Sequence, residues 1–303
     1  MTSIDNKCRI CPRKCNVNRD ERVGYCGMSN TVRLARAALH YWEEPFISGE
    51  EGSGAIFFSG CNLKCIYCQN YDISRGQGKD ITIKRLADIF KELEDKGANN
   101  INLVTASHYV PQILKAFDIY KPQIPIVYNC GGYESQETLK MLEGVIDVYL
   151  PDLKYSDENL AYRYSKARDY FDVATNAINI MQKQVGECIF NEKGILEKGV
   201  VVRHLVLPGQ LKNTEGVLKW LSHNLKKGNY FSLMGQFIPY GECDSYPEIN
   251  RKLKPLEYKI AINKAIEYGL ENTMIQELNS ASEEFVPDFN NEGVWSWKIL
   301  IKT

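Results

Sequence analysis

Short apolar runs alternate with amphipathic stretches along most of the chain. The apolar runs have the length and the β-branched content of strands, and the stretches between them place apolar residues at helical spacing. We predict six strands, at Gly54–Phe58, Ile101–Thr105, Ile124–Asn129, Val145–Leu150, Val200–Leu207 and Tyr230–Met234. We predict helices at 83–97 with Thr82 as N-cap, 111–117, 134–142, 159–185 and 255–268.

Strands that alternate with helices are typical of an α/β protein with a parallel sheet. Six such strands predict a partial (β/α)6 TIM-like barrel. The glycine-punctuated segment 186–199 is predicted to be a loop or a hairpin, and 273–278 a late extended piece. Residues 1–46 are expected to form a small cysteine-rich, metal-binding module with its linker. Residues 47–303 are expected to form the barrel with a C-terminal extension.

Composition narrows the class of protein. The chain has 303 residues, 44% hydrophobic and 25% charged, with a net charge of −1, as in ordinary soluble globular proteins. The charge is not arranged in blocks, so no nucleic-acid or membrane partner is expected. The first residues lack the apolar core of a signal peptide, and seven of the ten cysteines fall in two groups. Clustered cysteines without an export signal indicate metal binding in a reducing compartment, so a cytoplasmic location is expected.

The first group is Cys61, Cys65 and Cys68, directly after a predicted buried strand. A [4Fe–4S] cluster is usually held by four cysteines, so three would leave one iron open to a small molecule. An open iron favours catalysis over electron storage. The alternatives are a zinc knuckle or a cluster that only transfers electrons, although zinc would normally want a fourth Cys or His nearby.

The second group is Cys8, Cys11, Cys15 and Cys26, and it provides four sulfurs in a segment with few apolar residues. Four thiolates close a structural zinc site or fill a second iron–sulfur cluster. Because the segment is too polar to build its own core, a metal would explain how it folds. Zinc is favoured, with a second cluster or unligated cysteines as alternatives.

The segment Phe58-Ser-Gly-Cys61-Asn-Leu-Lys-Cys65-Ile-Tyr67-Cys68 resembles the cluster loop of the radical S-adenosylmethionine (SAM) superfamily. The resemblance implies a partial barrel and a [4Fe–4S] cluster whose open iron binds the amino and carboxylate groups of SAM. Reduction of such a cluster cleaves SAM to methionine and a 5′-deoxyadenosyl radical. It also implies that Tyr67 lies near the adenine of SAM.

The polar residues at the predicted strand ends are similar in order to those of pyruvate formate-lyase activating enzymes. Asp152 and Lys154 share one side of a strand end, and the family's matching Asp-Leu-Lys reaches SAM. Arg203 matches an arginine near SAM and would contact its carboxylate or ribose. The family's Gly-Gly-Glu stretch is replaced here, so Ser107 or Asn129 would accept hydrogen bonds from the SAM amine. Ordinary ion pairs are the alternative for Asp152, Lys154 and Arg203.

The resemblance implies a radical SAM enzyme that abstracts hydrogen from a substrate, with a glycyl radical enzyme as one candidate. A small molecule or another protein is the alternative substrate. A non-catalytic iron–sulfur electron carrier is the rival function. An enzyme of this kind would need a reductant such as flavodoxin or ferredoxin.

Overall fold

The computed structural model describes residues 7–276 and 287–295. The predicted positions 277 and 278 and parts of the C-terminal extension lie outside these ranges. The helices and strands are β1 Val32–His40, α1 Pro45–Ser48, β2 Ser53–Phe58, α2 Tyr71–Ser74, β3 Lys79–Ile81, α3 Ile83–Asp95, β4 Ile101–Val104, α4 Val110–Phe117, β5 Ile126–Cys130, α5 Gln136–Leu142, β6 Val148–Pro151, α6 Glu158–Ser165, α7 Tyr170–Val185, β7 Ile189–Phe190, β8 Leu196–Leu205, α8 Leu211–Asn224, β9 Tyr230–Met234, α9 Pro255–Glu267 and β10 Thr273–Ile275.

The strands form one sheet in the order β10-β9-β8-β6-β5-β4-β2-β1-β3, and β7 pairs with β8. The strands from β2 to β10 along this order are parallel to their neighbours, whereas β1 runs antiparallel to β2 and β3 antiparallel to β1. Within the described residues, β10 and β3 do not pair with each other, so the sheet stays open. The predicted α/β fold with a partial barrel is confirmed, including each of the six predicted strands.

The predicted helices are present, and one of them is divided into two. Thr82 caps α3 by accepting a hydrogen bond from the backbone of Arg85, as predicted. The predicted single helix over 159–185 is divided into α6 and α7, because Lys166 takes a left-handed conformation with φ 52°. The segment predicted as a loop or hairpin is a hairpin of β7 and the start of β8. The strands β1 and β3 and the helices α1, α2 and α8 were not predicted.

The barrel interior has an apolar floor and a polar upper layer. The short helix α1 enters from the amino ends of the strands and places Ile47 against inward side chains of the three strands β5, β6 and β8, namely Val127, Val148, Leu150, Leu196 and Val201. Side chains alternate along a strand, so the next inward positions of β5 and β8 are Asn129 and Arg203. The carboxyl ends of the parallel strands therefore carry the polar groups, as in other β/α barrels.

Residues 7–31 pack against the end of the barrel where the cluster loop lies. Arg13 donates to the backbone oxygen of Asn62 in that loop at 2.7 Å, and Arg19 donates to the backbone oxygen of His108 at 2.5 Å. No helix within the described part of the chain combines the length and apolar content needed to span a bilayer.

Candidate active site

The cluster loop follows β2, a strand whose six residues are all buried. Gly60 turns the chain with φ 85°, and a side chain there would meet the backbone oxygen of Cys26 at 2.9 Å. Glycine is required at this position because the N-terminal segment packs so closely behind the loop. The strand and the glycine together fix where Cys61, Cys65 and Cys68 lie.

The three thiols of the loop influence one another. Burial raises the pKa of Cys61, and burial raises the pKa of Cys68 to about 12, with the neighbouring thiolates adding to both shifts. The Lys154 ammonium acts in the opposite direction on both thiols. The backbone of Leu63 also donates to the Cys61 sulfur at 3.3 Å. Thiolates gathered at this depth need a positively charged partner, and Cys61, Cys65 and Cys68 could hold iron, which would provide it.

The thiols fit a cubane better than a single ion. Among residues 7–276 and 287–295, no group of three or more His, Cys, Asp or Glu side chains surrounds a position suited to one metal ion. A [4Fe–4S] cluster instead takes one thiolate at each of several separate irons. Three thiols around the rim of one loop match that donor set.

Four of the predicted SAM contacts meet beside the cluster loop. Asp152 accepts from Lys154 at 2.5 Å and from Arg203 at 3.0 Å, and Arg203 also donates to the Asn129 side chain at 2.5 Å. Burial alone would raise the pKa of Asp152, but Lys154 and Arg203 outweigh it and hold that pKa below its usual value. The ion pair between Asp152 and Lys154, which was the alternative interpretation of these residues, is present, and both side chains line the cavity next to the thiols, so their contact with SAM stays a prediction.

Glu43 completes this network, and sequence reasoning missed it. Its carboxylate accepts from Asn129 at 3.0 Å, from Asn102 at 3.2 Å and from Arg203 at 3.2 Å. Glu43 reaches the interior from the loop between β1 and α1. No periodic pattern marks that loop, and β1 itself was not predicted, so no sequence signal predicts this placement.

Ser107 lies at the same end of the barrel and donates to the buried carboxyl of Glu134 at 2.5 Å. Tyr128 donates to the other oxygen of Glu134 at 3.1 Å, and burial raises the pKa of Glu134 to about 7. His108 contacts the backbone oxygen of Ser59 at 2.8 Å, and burial lowers its pKa to about 3. His108 is thus a neutral wall residue, whereas Ser107 still has a lone pair to offer.

These residues surround one cavity of about 240 Å³. Its lining includes the three loop cysteines and all six predicted SAM contacts: Tyr67, Ser107, Asn129, Asp152, Lys154 and Arg203. A wider, open cavity of about 1020 Å³ lies beside it, between the 41–51 segment and the 193–195 turn. The two share Trp42, Glu43 and Gln236 in their linings. The small cavity can hold a polar cofactor, and the wide one can admit a larger molecule.

The four N-terminal cysteines also lie near one another. Burial raises the pKa of Cys11 to about 12, with Cys15 and Cys26 adding to the shift, and Cys26 is influenced by Cys8 and Cys15 in the same way. The backbone of Tyr25 donates to the Cys15 sulfur at 3.2 Å. Zinc or a second cluster at these cysteines stays a prediction.

Comparison with family profiles identifies the family. Residues 55–221 match the family profile described as the radical SAM superfamily. An uncharacterized protein of Methanocaldococcus jannaschii is 32% identical over 281 residues, which cover 89% of this chain and 77% of that protein.

The chain is also similar to solved structures, and the match to HydG supports the same fold. HydG, a maturase of the [FeFe]-hydrogenase, matches with a TM-score of 0.50 and 14% identity over 75% of this chain and 52% of its own. A domain of the pyruvate-formate lyase-activating enzyme from Bacteroides vulgatus matches with a TM-score of 0.39 and 13% identity, over 64% of this chain and 91% of its own. This chain spans about half the length of several solved proteins that it matches.

Proposed function

Because the chain belongs to the radical SAM superfamily, we propose that Cys61, Cys65 and Cys68 hold its [4Fe–4S] cluster and that the cavity beside them binds SAM. The bound cofactors supply reductive cleavage of SAM, which yields a radical that abstracts hydrogen from the substrate. The observation that supports this assignment is the shared cavity, where three thiols and a charged network meet at the carboxyl ends of the strands.

The network has the right groups for a zwitterionic cofactor. Arg203 and Lys154 offer cationic donors to a carboxylate, while Asp152 and Ser107 offer acceptors to an amine. Tyr67 lines the same cavity, which supports a place for the adenine beside its ring. In this proposal the protein orients SAM and keeps water away from the reacting atoms.

We propose that the substrate is bulky, with a glycyl radical enzyme as the first candidate. The wide cavity next to the cofactor site supports this, because its open volume of about 1020 Å³ exceeds what most small ligands fill. A flavodoxin or ferredoxin is the proposed electron donor. All ten cysteines are free thiols, which supports a reducing compartment such as the cytoplasm. An electron carrier would have no use for the charged cavity.

The test is reductive SAM cleavage. The chain is reconstituted anaerobically with iron and sulfide, reduced with dithionite, mixed with SAM and assayed for 5′-deoxyadenosine. We expect turnover in the wild type, loss of turnover in Cys61→Ala, and unchanged turnover in Cys188→Ala, which alters a cysteine outside both groups. Absence of product in the wild type, or equal product from Cys61→Ala, would refute the assignment.

A further inference from the structure

A buried chain of hydroxyl groups leads from the wall of the cofactor cavity to the sulfur of Cys65. The Tyr67 and Tyr155 hydroxyls are 2.8 Å apart, and the Tyr155 hydroxyl is 2.8 Å from Ser165 Oγ. Ser165 Oγ then donates to Cys65 Sγ at 3.0 Å. None of these four residues is more than 6% exposed, so water does not compete for these hydrogen bonds.

The number of protons available determines the direction of these hydrogen bonds. Each hydroxyl has one proton to donate, and a cysteine that binds iron is a thiolate that only accepts. Ser165 therefore gives its proton to Cys65 and accepts one from Tyr155, which in turn accepts one from Tyr67. All three O–H bonds point toward the sulfur, and such chains strengthen cooperatively.

Backbone hydrogen bonds hold Ser165 beside the cluster loop. It is the last residue of α6, and its backbone oxygen accepts from Arg13 at 2.8 Å. The backbone of Ile66, next to Cys65, donates to the backbone oxygen of Tyr164 at 3.0 Å. The end of α6 and the cluster loop are thus bonded on both sides of the Ser165 hydroxyl, which leaves the hydroxyl little freedom to turn elsewhere.

We propose that Ser165 is a positioning residue that raises the reduction potential of the cluster, through a one-directional hydrogen-bond chain from Tyr67 and Tyr155 to Cys65. A hydrogen bond donated to a ligating sulfur withdraws negative charge and stabilises the more negative, reduced cluster. This inference rests on the proposed function, since it requires a cluster at Cys65. The reaction it concerns is the uptake of one electron from dithionite or from the donor protein, with no bond formed or broken in the protein.

The experiment compares Ser165→Ala, Tyr155→Phe and Tyr67→Phe with the wild type. The control is Ser53→Ala, which removes another fully buried serine hydroxyl, one that contacts Asn100 at the start of β2. Each anaerobically reconstituted protein is titrated with dithionite at controlled potential, and the reduced cluster is followed by electron paramagnetic resonance. We expect the midpoint potential to become more negative in Ser165→Ala, to shift less in Tyr155→Phe and least in Tyr67→Phe, and to stay unchanged in Ser53→Ala.

Iron content and thermal melts are recorded for every variant. Equal potentials in all variants that carry a normal iron content would overturn the inference and leave the proposed function standing. If Ser165→Ala loses its iron, Tyr155→Phe provides the test, because this variant keeps the serine. A more negative midpoint potential in Tyr155→Phe would support the hydrogen-bond chain, and an unchanged potential would overturn it. Absence of any cluster in the wild type refutes the proposed function itself.

Discussion

The two cysteine groups lie close together but have different surroundings. The three thiols of the 61–68 loop face a cavity with two cations, two carboxylates and five side-chain amides in its wall. The proposed N-terminal site would use four thiols, of which Cys11 and Cys26 are buried, although in the described residues no three of them surround one ion position. Closed metal sites are typical of structural roles, and sites with an open position are typical of catalysis. The number of cysteine ligands and the side chains around them together distinguish a catalytic metal site from a structural one.

The largest effects are expected when one cysteine is removed from either cysteine group. Cys65→Ala should reduce 5′-deoxyadenosine formation to background and lower the melting temperature less than Cys11→Ala, because the barrel has a large apolar core of its own besides Cys65. Cys11→Ala should lower the melting temperature sharply, because structural metals contribute a large part of the folding free energy of small modules, on the order of 10 kcal/mol. Turnover assays and thermal melts on both variants check this.

Metal analysis of a Cys61/Cys65/Cys68 triple alanine variant then identifies the N-terminal metal. Residual zinc would support a structural site, and residual iron a second cluster. If neither metal remains, the N-terminal cysteines are not a metal site and the contrast between a closed and an open site is wrong.

Arg13 joins the two regions, so its removal should uncouple them. Its guanidinium donates to the backbone oxygens of Asn62, Ser165 and Lys166 and lies 4.0 Å from the centre of the Tyr25 ring. Arg13→Ala should lower the free energy of unfolding by about 3 kcal/mol, because three charge-assisted hydrogen bonds are lost. Urea denaturation measures the change, with the exposed Arg22→Ala as control. Equal losses in both variants would mean that Arg13 does not fasten the module.

The buried carboxyl of Glu134 acts on the N-terminal thiol Cys11. Glu134 should make the free energy of unfolding depend on pH. Burial raises its pKa from 4.5 to about 7, so the folded protein keeps a proton that the unfolded chain releases. The stabilisation is fully present below about pH 4.5 and is lost as the pH rises through about 7. Between pH 5.5 and 8.0 the wild type should lose about 2 kcal/mol relative to Glu134→Gln. Parallel denaturation curves for the two proteins at both pH values would contradict this.

Sequence reasoning found the parts of the molecule that have a local signal. The apolar runs gave every parallel strand from β2 to β9, and strand-end residues such as Asp152 and Arg203 follow from those runs. The antiparallel strand β1 was missed because its alternation is interrupted by Ala35, Ala37 and Ala38, and the bulge between Leu34 and Arg36 shifts its register. The position of Glu43 depends on β1 and could not be predicted, because the contacts of Glu43 join residues that are far apart in the chain.

Glu43 gives the smallest expected effect and the sharpest test of the open site. Its carboxylate accepts from three donors, Asn102, Asn129 and Arg203. The amide in Glu43→Gln has one oxygen and one NH2 group, so at least one of these donors would face an N–H instead of an acceptor. Arg203 and Asn129 would then lose their fixed orientation, and the dissociation constant of SAM should rise about tenfold, which corresponds to about 1.4 kcal/mol.

The matched control for this prediction is Glu51→Gln, which removes a carboxylate bonded to Lys193 at the rim of the wide cavity. SAM binding is measured by calorimetry on the reconstituted proteins, and their iron content is checked beforehand. A tenfold loss in Glu43→Gln alone would show that the polar layer of the barrel, and not the thiols alone, makes the loop a cofactor site. Unchanged affinity in both variants would instead mean that SAM binding depends on the thiols and the bound iron, and the contrast between the two cysteine groups would then rest on ligand number only.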